Sequence, residues 1–169
     1  NASSVKDILV DDEFIRRIRA SYYFIGALLG KYKSAEVALP GGCNIGARKI
    51  DMHILGLEAL GVEFKVEHGN IHASAPHGIT GETVSLAFAS VGATENLMMA
   101  SVFAKGVTVI DNAAREPEIV DLANMLNKMG ANIQGAGSPV IEIHGVTELH
   151  PVEHEVVGDR IEAGTFLAI

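Results

Sequence analysis

Apolar residues recur at helical spacing from about Asp12 through Phe14, Ile18, Tyr22, Ile25, Leu28 and Leu29, and Gly30 reads as the stop. Residues 1–12 are polar and begin irregularly. A short strand is expected over 36–39, a Gly-rich loop after it, and a helix over 50–60 with Ile50, Ile54, Leu57 and Leu60 on one face and Gly61 ending it. Residues 62–67 and 71–75 alternate apolar and polar positions around His68-Gly69-Asn70, the mark of a hairpin.

The same order then returns. A strand is expected over 84–89, a helix over 93–104 and a strand over 107–112. A further helix opens at Arg115-Glu116-Pro117-Glu118, with proline in its first turn and acids where the dipole favours them. It reaches Met129, stops at Gly130, and is followed by a hairpin, 132–134 with 140–144. Leu60-Gly61 matches Met129-Gly130 and Ile50-Asp51 matches Val120-Asp121, an offset of about 70 residues read off the numbering. The pattern predicts an α/β (α+β) fold with two duplicated units, about 13–76 and 84–146. A third copy is expected to start at Asp159. The helices carrying Phe14 to Leu29 and Ala93 to Ala104 are apolar over most of their circumference and are expected inside.

Composition narrows the function. The chain has 169 residues and a net charge of -8, which argues against a general nucleic-acid or anionic-membrane surface. An anionic ligand must be held by a local cluster of Arg and Lys. The single cysteine excludes an internal disulfide framework and fits a reducing compartment. No signal peptide and no apolar run of transmembrane length is seen. The chain lacks an initiator Met and ends on an apolar run, so a fragment of a longer protein is expected.

The chemistry concentrates in Leu39-Pro-Gly-Gly-Cys43-Asn-Ile-Gly-Ala-Arg48. The corresponding place in the second unit holds Asp-Asn-Ala-Ala-Arg-Glu-Pro, so the fold does not require the glycines and the thiol. Free cysteines are usually small buried apolar residues. A Gly-rich loop between elements is normally exposed, however, and Arg48 with Arg19 would favour the reactive thiolate. Arg48 also precedes a helix, where free N–H groups favour an anion. Ser90-Val91-Gly92-Ala93-Thr94 reads equally as a phosphate-binding turn or as a tight helix start that Thr94 helps to cap. Asp51 is a ligand-contact candidate, whereas Asp121 is expected to complement a helix dipole. His68 with His72, and His150 with His154, do not offer the three or four ligands of a zinc site.

The loop, followed by Ile50-Asp51-Met52-His53, resembles the cysteine loop of the enolpyruvyl transferase family, in particular of the UDP-N-acetylglucosamine 1-carboxyvinyltransferases. Arg19-Ala-Ser, Ser90-Val-Gly-Ala-Thr94, Asn112-Ala-Ala-Arg-Glu-Pro-Glu118 and Asp159-Arg-Ile-Glu-Ala-Gly-Thr-Phe166 resemble the family in the same order. Lys49 stands where the family usually has proline, and Phe88 where some members have a basic residue. The resemblance implies an inside-out α/β barrel lobe of repeated βαβαββ-type units around buried helices. Residues 1–158 would form most of one lobe, incomplete at its N-terminus, and 159–169 would cross to a missing second lobe. It also implies transfer of enolpyruvyl from phosphoenolpyruvate to the 3-hydroxyl of UDP-N-acetylglucosamine, the first committed step of peptidoglycan synthesis in the bacterial cytoplasm. Cys43 would be general acid and covalent residue, and the sulfur that fosfomycin alkylates. Arg19 and Arg48 would bind phosphates. Arg48, Lys49, Ile50, Asp51 and Met52, with Ser90, Val91 and Gly92, would contact the nucleotide-sugar, the loop closing as a lid. The partners would be the two small substrates and the missing lobe; no cofactor or metal enters this expectation. The isolated chain is expected to be inactive. Two alternatives are a non-catalytic nucleotide-sugar binding module and a thiol redox sensor.

Overall fold

The computed structural model describes residues 9–10, 18–39 and 50–168. The first unit contains β1 (Leu9–Val10), a 3-10 turn (Arg19–Tyr22) running into α1 (Tyr23–Tyr32), β2 (Ser34–Ala38), α2 (Asp51–Ala59), β3 (Glu63–Glu67) and β4 (Asn70–Ser74). The second contains β5 (Thr83–Ser85), α3 (Val91–Ser101), β6 (Val107–Asp111), α4 (Pro117–Lys128), β7 (Asn132–Gln134) and β8 (Val140–His144). A last helix, α5, covers Arg160–Leu167.

Each unit folds into a four-stranded sheet of the same topology, β1-β2-β4-β3 and β5-β6-β8-β7. The first two strands of each are parallel and the hairpin adds antiparallel. Val37 stands opposite Ile71 and Ile110 opposite Ile141, so equivalent apolar pairs face the core, all fully buried. The first hairpin turns through His68 and Gly69, both at positive φ (51° and 79°), which suits the twist of a two-residue turn.

Helices α1 and α3 form the interior. They run parallel, since Gly26 meets Asn96 and Gly30 meets Met99 and Ala100. A Cβ on Gly26 would lie 2.5 Å from the Asn96 carbonyl oxygen, and one on Gly30 3.0 Å from that of Met99. Hydrogen at Gly26 is what allows this approach, and at Gly30 a methyl group would force the neighbouring backbone to give. Gly30 is therefore a packing residue and not the expected helix stop. The helix continues to Tyr32, and Lys33 takes the left-handed terminating conformation (φ 61°) with its Nζ donating back to the Gly30 carbonyl at 3.0 Å. Leu29, Leu57, Leu97, Met98, Ile110 and Ile119 fill the space around this pair and are wholly buried. Burying each such side chain contributes about 1.5–3 kcal/mol.

The C-terminal segment crosses α4 without regular structure. The His150 amide donates to the Met129 carbonyl at 2.8 Å, and the His154 Nε2 donates to Asp121 Oδ1 at 3.0 Å. This corrects the expectation for Asp121. It is the fifth residue of a helix that begins at Pro117, and its carboxylate holds the strap instead of a helix N-terminus. The first-unit helix begins at Asp51, so Asp51 and Asp121 are not equivalent helix starts. Asp159 caps α5, accepting from the Ile161 and Glu162 amides at 2.8 and 3.1 Å. No residue of α5 is buried, and Arg160 grips Glu118 with two donors at 3.0 and 2.7 Å. Among the described residues no helix is long and apolar enough to cross a membrane.

Candidate functional site

Cys43, Arg48 and Lys49 lie outside the described residues. Arg19 is described by its backbone, as the first residue of the 3-10 turn. Ile50 is the N-cap of α2, its carbonyl accepting from the His53 and Ile54 amides at 3.0 and 3.1 Å. Asp51 is exposed in the first turn, where its charge complements the helix dipole. Met52, half-buried, lines a cleft of about 230 Å³ with Thr83, Leu86 and Ala87.

Ser90 is the N-cap of α3. Its Oγ accepts from the Ala93 amide at 3.3 Å. Thr94 is fully buried; its hydroxyl donates to the Ser90 carbonyl at 2.8 Å and accepts from the Ala114 amide at 3.1 Å. These hydrogen bonds are those of a capped helix start, with Thr94 also tying it to the chain after β6.

These stretches, separated in sequence, meet at Gly92. A Cβ there would lie 2.9 Å from the Tyr22 hydroxyl, 3.0 Å from His53 Cε1 and 3.2 Å from the Tyr23 hydroxyl. Tyr22 precedes α1, His53 lies in the first turn of α2 and Gly92 in the first turn of α3. Three helix starts thus meet at one corner, α1 through its tyrosine side chains, and those of α2 and α3 bring the positive end of a helix dipole. Ile50, Asp51 and Met52 stand at the start of α2 and Ser90, Val91 and Gly92 at the start of α3, so these two candidate stretches meet here.

Behind the corner sits a polar cluster that sequence reasoning gave no role. The Tyr22 ring lies 4.6 Å from that of Tyr23 and 4.7 Å, edge-on, from that of His53. Asn96 is fully buried. Its Oδ1 accepts from the Gly26 amide at 2.9 Å, and its Nδ2 donates to the Tyr22 carbonyl at 3.2 Å and meets His53 Nδ1 at 3.0 Å. Burial pushes the Tyr23 phenol well above its usual range. Burial also raises the Glu95 carboxyl, an effect opposed by its hydrogen bond with Tyr23. The available signal was Asn96 itself, an amide on an otherwise apolar helical face.

A larger cavity, about 1010 Å³, opens at the opposite ends of α1 and α3. Ala27, Gly30, Met99 and Phe103 line it with Lys31, Lys33 and Lys105 on its wall. None of the candidate site residues named from the sequence is among the described residues that line it.

Comparison with known proteins places the chain in a family. A family model described as EPSP synthase (3-phosphoshikimate 1-carboxyvinyltransferase) matches residues 1–169. UDP-N-acetylglucosamine 1-carboxyvinyltransferase 1 of Caldanaerobacter subterraneus subsp. tengcongensis is 55% identical over 163 residues, 96% of this chain and 39% of that protein. UDP-N-acetylglucosamine 1-carboxyvinyltransferase 2 of Carboxydothermus hydrogenoformans is 58% identical, and protein 1 of Staphylococcus aureus strain N315 is 56% identical, each over 92% of this chain and 37% of the relative. The chain thus spans 37–39% of the length of these relatives. Among solved structures, the enolpyruvyl transferase NikO from Streptomyces tendae superposes with a TM-score of 0.80 at 22% identity, over 99% of this chain and 40% of that one. EPSP synthase from Acinetobacter baumannii gives 0.67 at 19% identity, over 88% and 33%. At those identities the likeness is one of fold. Along its whole length the chain belongs to the EPSP synthase (3-phosphoshikimate 1-carboxyvinyltransferase) family, and its relatives at 55–58% identity bear the name UDP-N-acetylglucosamine 1-carboxyvinyltransferase.

Proposed function

We propose that this chain is the nucleotide-sugar side of an enzyme that moves enolpyruvyl from phosphoenolpyruvate to the 3-hydroxyl of UDP-N-acetylglucosamine. The meeting of three helix N-termini at Gly92 carries this reading, because it joins the stretches expected to touch a diphosphate. The names of the relatives support the choice of substrates. Arg19 and Arg48 supply guanidinium groups for the phosphates. Lys49, Ile50, Asp51 and Met52 contact the nucleotide-sugar from one side, and Ser90, Val91 and Gly92 from the other. The Cys43 thiol protonates the methylene carbon of phosphoenolpyruvate, which makes the adjacent carbon electrophilic. The sugar hydroxyl adds there and gives its proton to a base of the other lobe; one proton of the new methyl group is then lost, restoring the double bond and the Cys43 thiol, as phosphate leaves with its bonding electrons. The loop that carries Cys43 closes over the reactants and excludes water.

In this reading the residues lie in one lobe, 159–169 leads to the other, and donors from both are needed to stabilise the developing charge. The protein would work in the bacterial cytoplasm, at the committed step of peptidoglycan synthesis. The test is treatment of the full-length protein with the epoxide fosfomycin, followed by peptide mass spectrometry. Alkylation at Cys43 together with loss of turnover is expected. Cys43→Ser is expected to abolish turnover and retain nucleotide-sugar binding. Reaction of Cys43 with peroxide but not with the epoxide would overturn the assignment in favour of a redox thiol. Turnover by the 169-residue chain alone would overturn the need for the second lobe.

A further inference from the structure

We propose that Asn96 is a positioning residue for the nucleotide-sugar contacts, acting by holding His53 as a single neutral tautomer. The inference rests on the functional reading above and adds to it a residue that need not touch the ligand. Its ground is a chain of donor and acceptor identities. The Gly26 amide can only donate, so the Asn96 atom 2.9 Å from it is the carbonyl oxygen. The amide nitrogen then faces the Tyr22 carbonyl at 3.2 Å and His53 Nδ1 at 3.0 Å. An amide nitrogen only donates, so Nδ1 presents its lone pair and the ring proton is on Nε2.

One buried side chain thereby sets the relative placement of three helix starts. Through Gly26 and the Tyr22 carbonyl it holds the beginning of α1. Through His53 it holds the first turn of α2, which carries Asp51 and Met52. His53 Cε1 in turn abuts Gly92 in the first turn of α3, where a Cβ would crowd the ends of three side chains. A second proton, on Nδ1, would set two donors face to face and push these turns apart. Among the described residues, the other titratable groups around the corner are the Tyr22 and Tyr23 hydroxyls at the start of α1, Glu95 from α3 and Asp51 on the histidine's own helix.

The test uses the full-length protein. Two-bond ¹⁵N–¹H correlation of labelled histidines at neutral pH should show an unprotonated Nδ1 and a protonated Nε2 for His53, identified by its loss in His53→Asn. The opposite tautomer, or an imidazolium, overturns the proposal. Binding of UDP-N-acetylglucosamine is then measured by calorimetry across pH. Asn96→Asp keeps an oxygen for the Gly26 amide but offers His53 an acceptor. It should weaken binding about tenfold near neutrality, the scale of one mismatched buried hydrogen bond. Part of that loss should return as pH falls and an imidazolium supplies a donor to the new carboxylate. The loss should appear in KM, with kcat at saturation little changed. His53→Phe should weaken binding similarly, and His53→Asn, whose Oδ1 stands in for Nδ1, should restore most of it. This pair carries the test if Asn96→Asp does not fold. Variants that fold and bind like the parent at every pH overturn the positioning role alone. A parent that does not bind UDP-N-acetylglucosamine overturns the functional reading, and the positioning role with it.

Discussion

Asp121 and His154 stand 33 positions apart, and the imidazole Nε2 reaches the carboxylate Oδ1 at 3.0 Å with the histidine side chain only 8% exposed. Lys128 Nζ approaches the other ring nitrogen at 3.5 Å, at the surface. The arrangement fastens the irregular segment that follows β8 onto α4. His154→Ala should cost about 1–2 kcal/mol, since it removes a hydrogen bond to a charged group and leaves the carboxylate partly covered. Lys128→Ala should cost less than about 0.5 kcal/mol, as an exposed contact. Thermal melts measure both. Limited proteolysis should show earlier cleavage between 146 and 159 in His154→Ala alone.

The α1–α3 contact makes a sharp contrast between two glycines. At Gly26 a methyl group would press on the Asn96 carbonyl oxygen at 2.5 Å, a backbone atom that cannot swing away. Gly26→Ala should destabilise by about 3 kcal/mol or more. Gly164 in α5 has no atom within 4 Å of the corresponding position. In this 169-residue chain Gly164→Ala should stabilise by roughly 0.5–1 kcal/mol through helix propensity. Equal effects at the two positions in urea titrations would contradict the packing described.

Thr94 joins two loops through one hydroxyl, donating to Ser90 and accepting from Ala114. Thr94→Val keeps the shape but leaves the buried Ala114 amide without that acceptor. The expected cost is about 1–3 kcal/mol, seen as a Tm lowered by roughly 3–10 °C. Thr94→Ser should recover most of the loss. A Val variant as stable as the Ser variant would mean that the hydroxyl is dispensable.

Two carboxylates give opposite pH dependences. The hydrogen bond from Arg160 holds the Glu118 carboxyl below its ordinary value of 4.5. Its contribution is present above that value and is lost as pH falls through the lower, folded one. Burial raises Glu95 above 4.5, so its protonated form is favoured in the folded chain. The relative stabilisation exists below 4.5 and is lost as pH rises through the folded value. Glu95→Gln should therefore raise Tm at neutral pH by roughly 2 °C and change little near pH 4. Glu118→Gln should lower Tm slightly at neutral pH and not at pH 3. Melts between pH 3 and 8 give the slopes.

Much of the local order is written in neighbouring residues. The period-3.6 pattern around Ile54 and Leu57, the alternation on either side of His68-Gly69, and Pro117 ahead of an amphipathic helix all appear as elements within a few residues of expectation. Local signals misplaced what depends on a distant partner. Gly30 reads as a helix stop because glycine commonly ends helices, yet it sits inside α1 to admit the backbone of α3. Asp121 reads as a dipole complement because acids favour first turns, yet its partner is a histidine far along the chain. The cap at Ser90-Val91-Gly92-Ala93-Thr94, one of two readings the sequence left open, is made by hydrogen bonds from the Ala93 and Ala114 amides, the second from a separate loop.

By itself the sequence determined the secondary elements, their recurrence at about 70 positions, and the residue types available for chemistry, because each follows from spacing along one strand of chain. Only the tertiary structure decided that the starts of α1, α2 and α3 share the corner at Gly92 and that Asn96 links them. Gly26 and Asn96 are 70 residues apart. No local propensity encodes such a contact; it exists because burying the two apolar helices side by side brings their backbones together and leaves one amide to satisfy the donors and acceptors stranded between them.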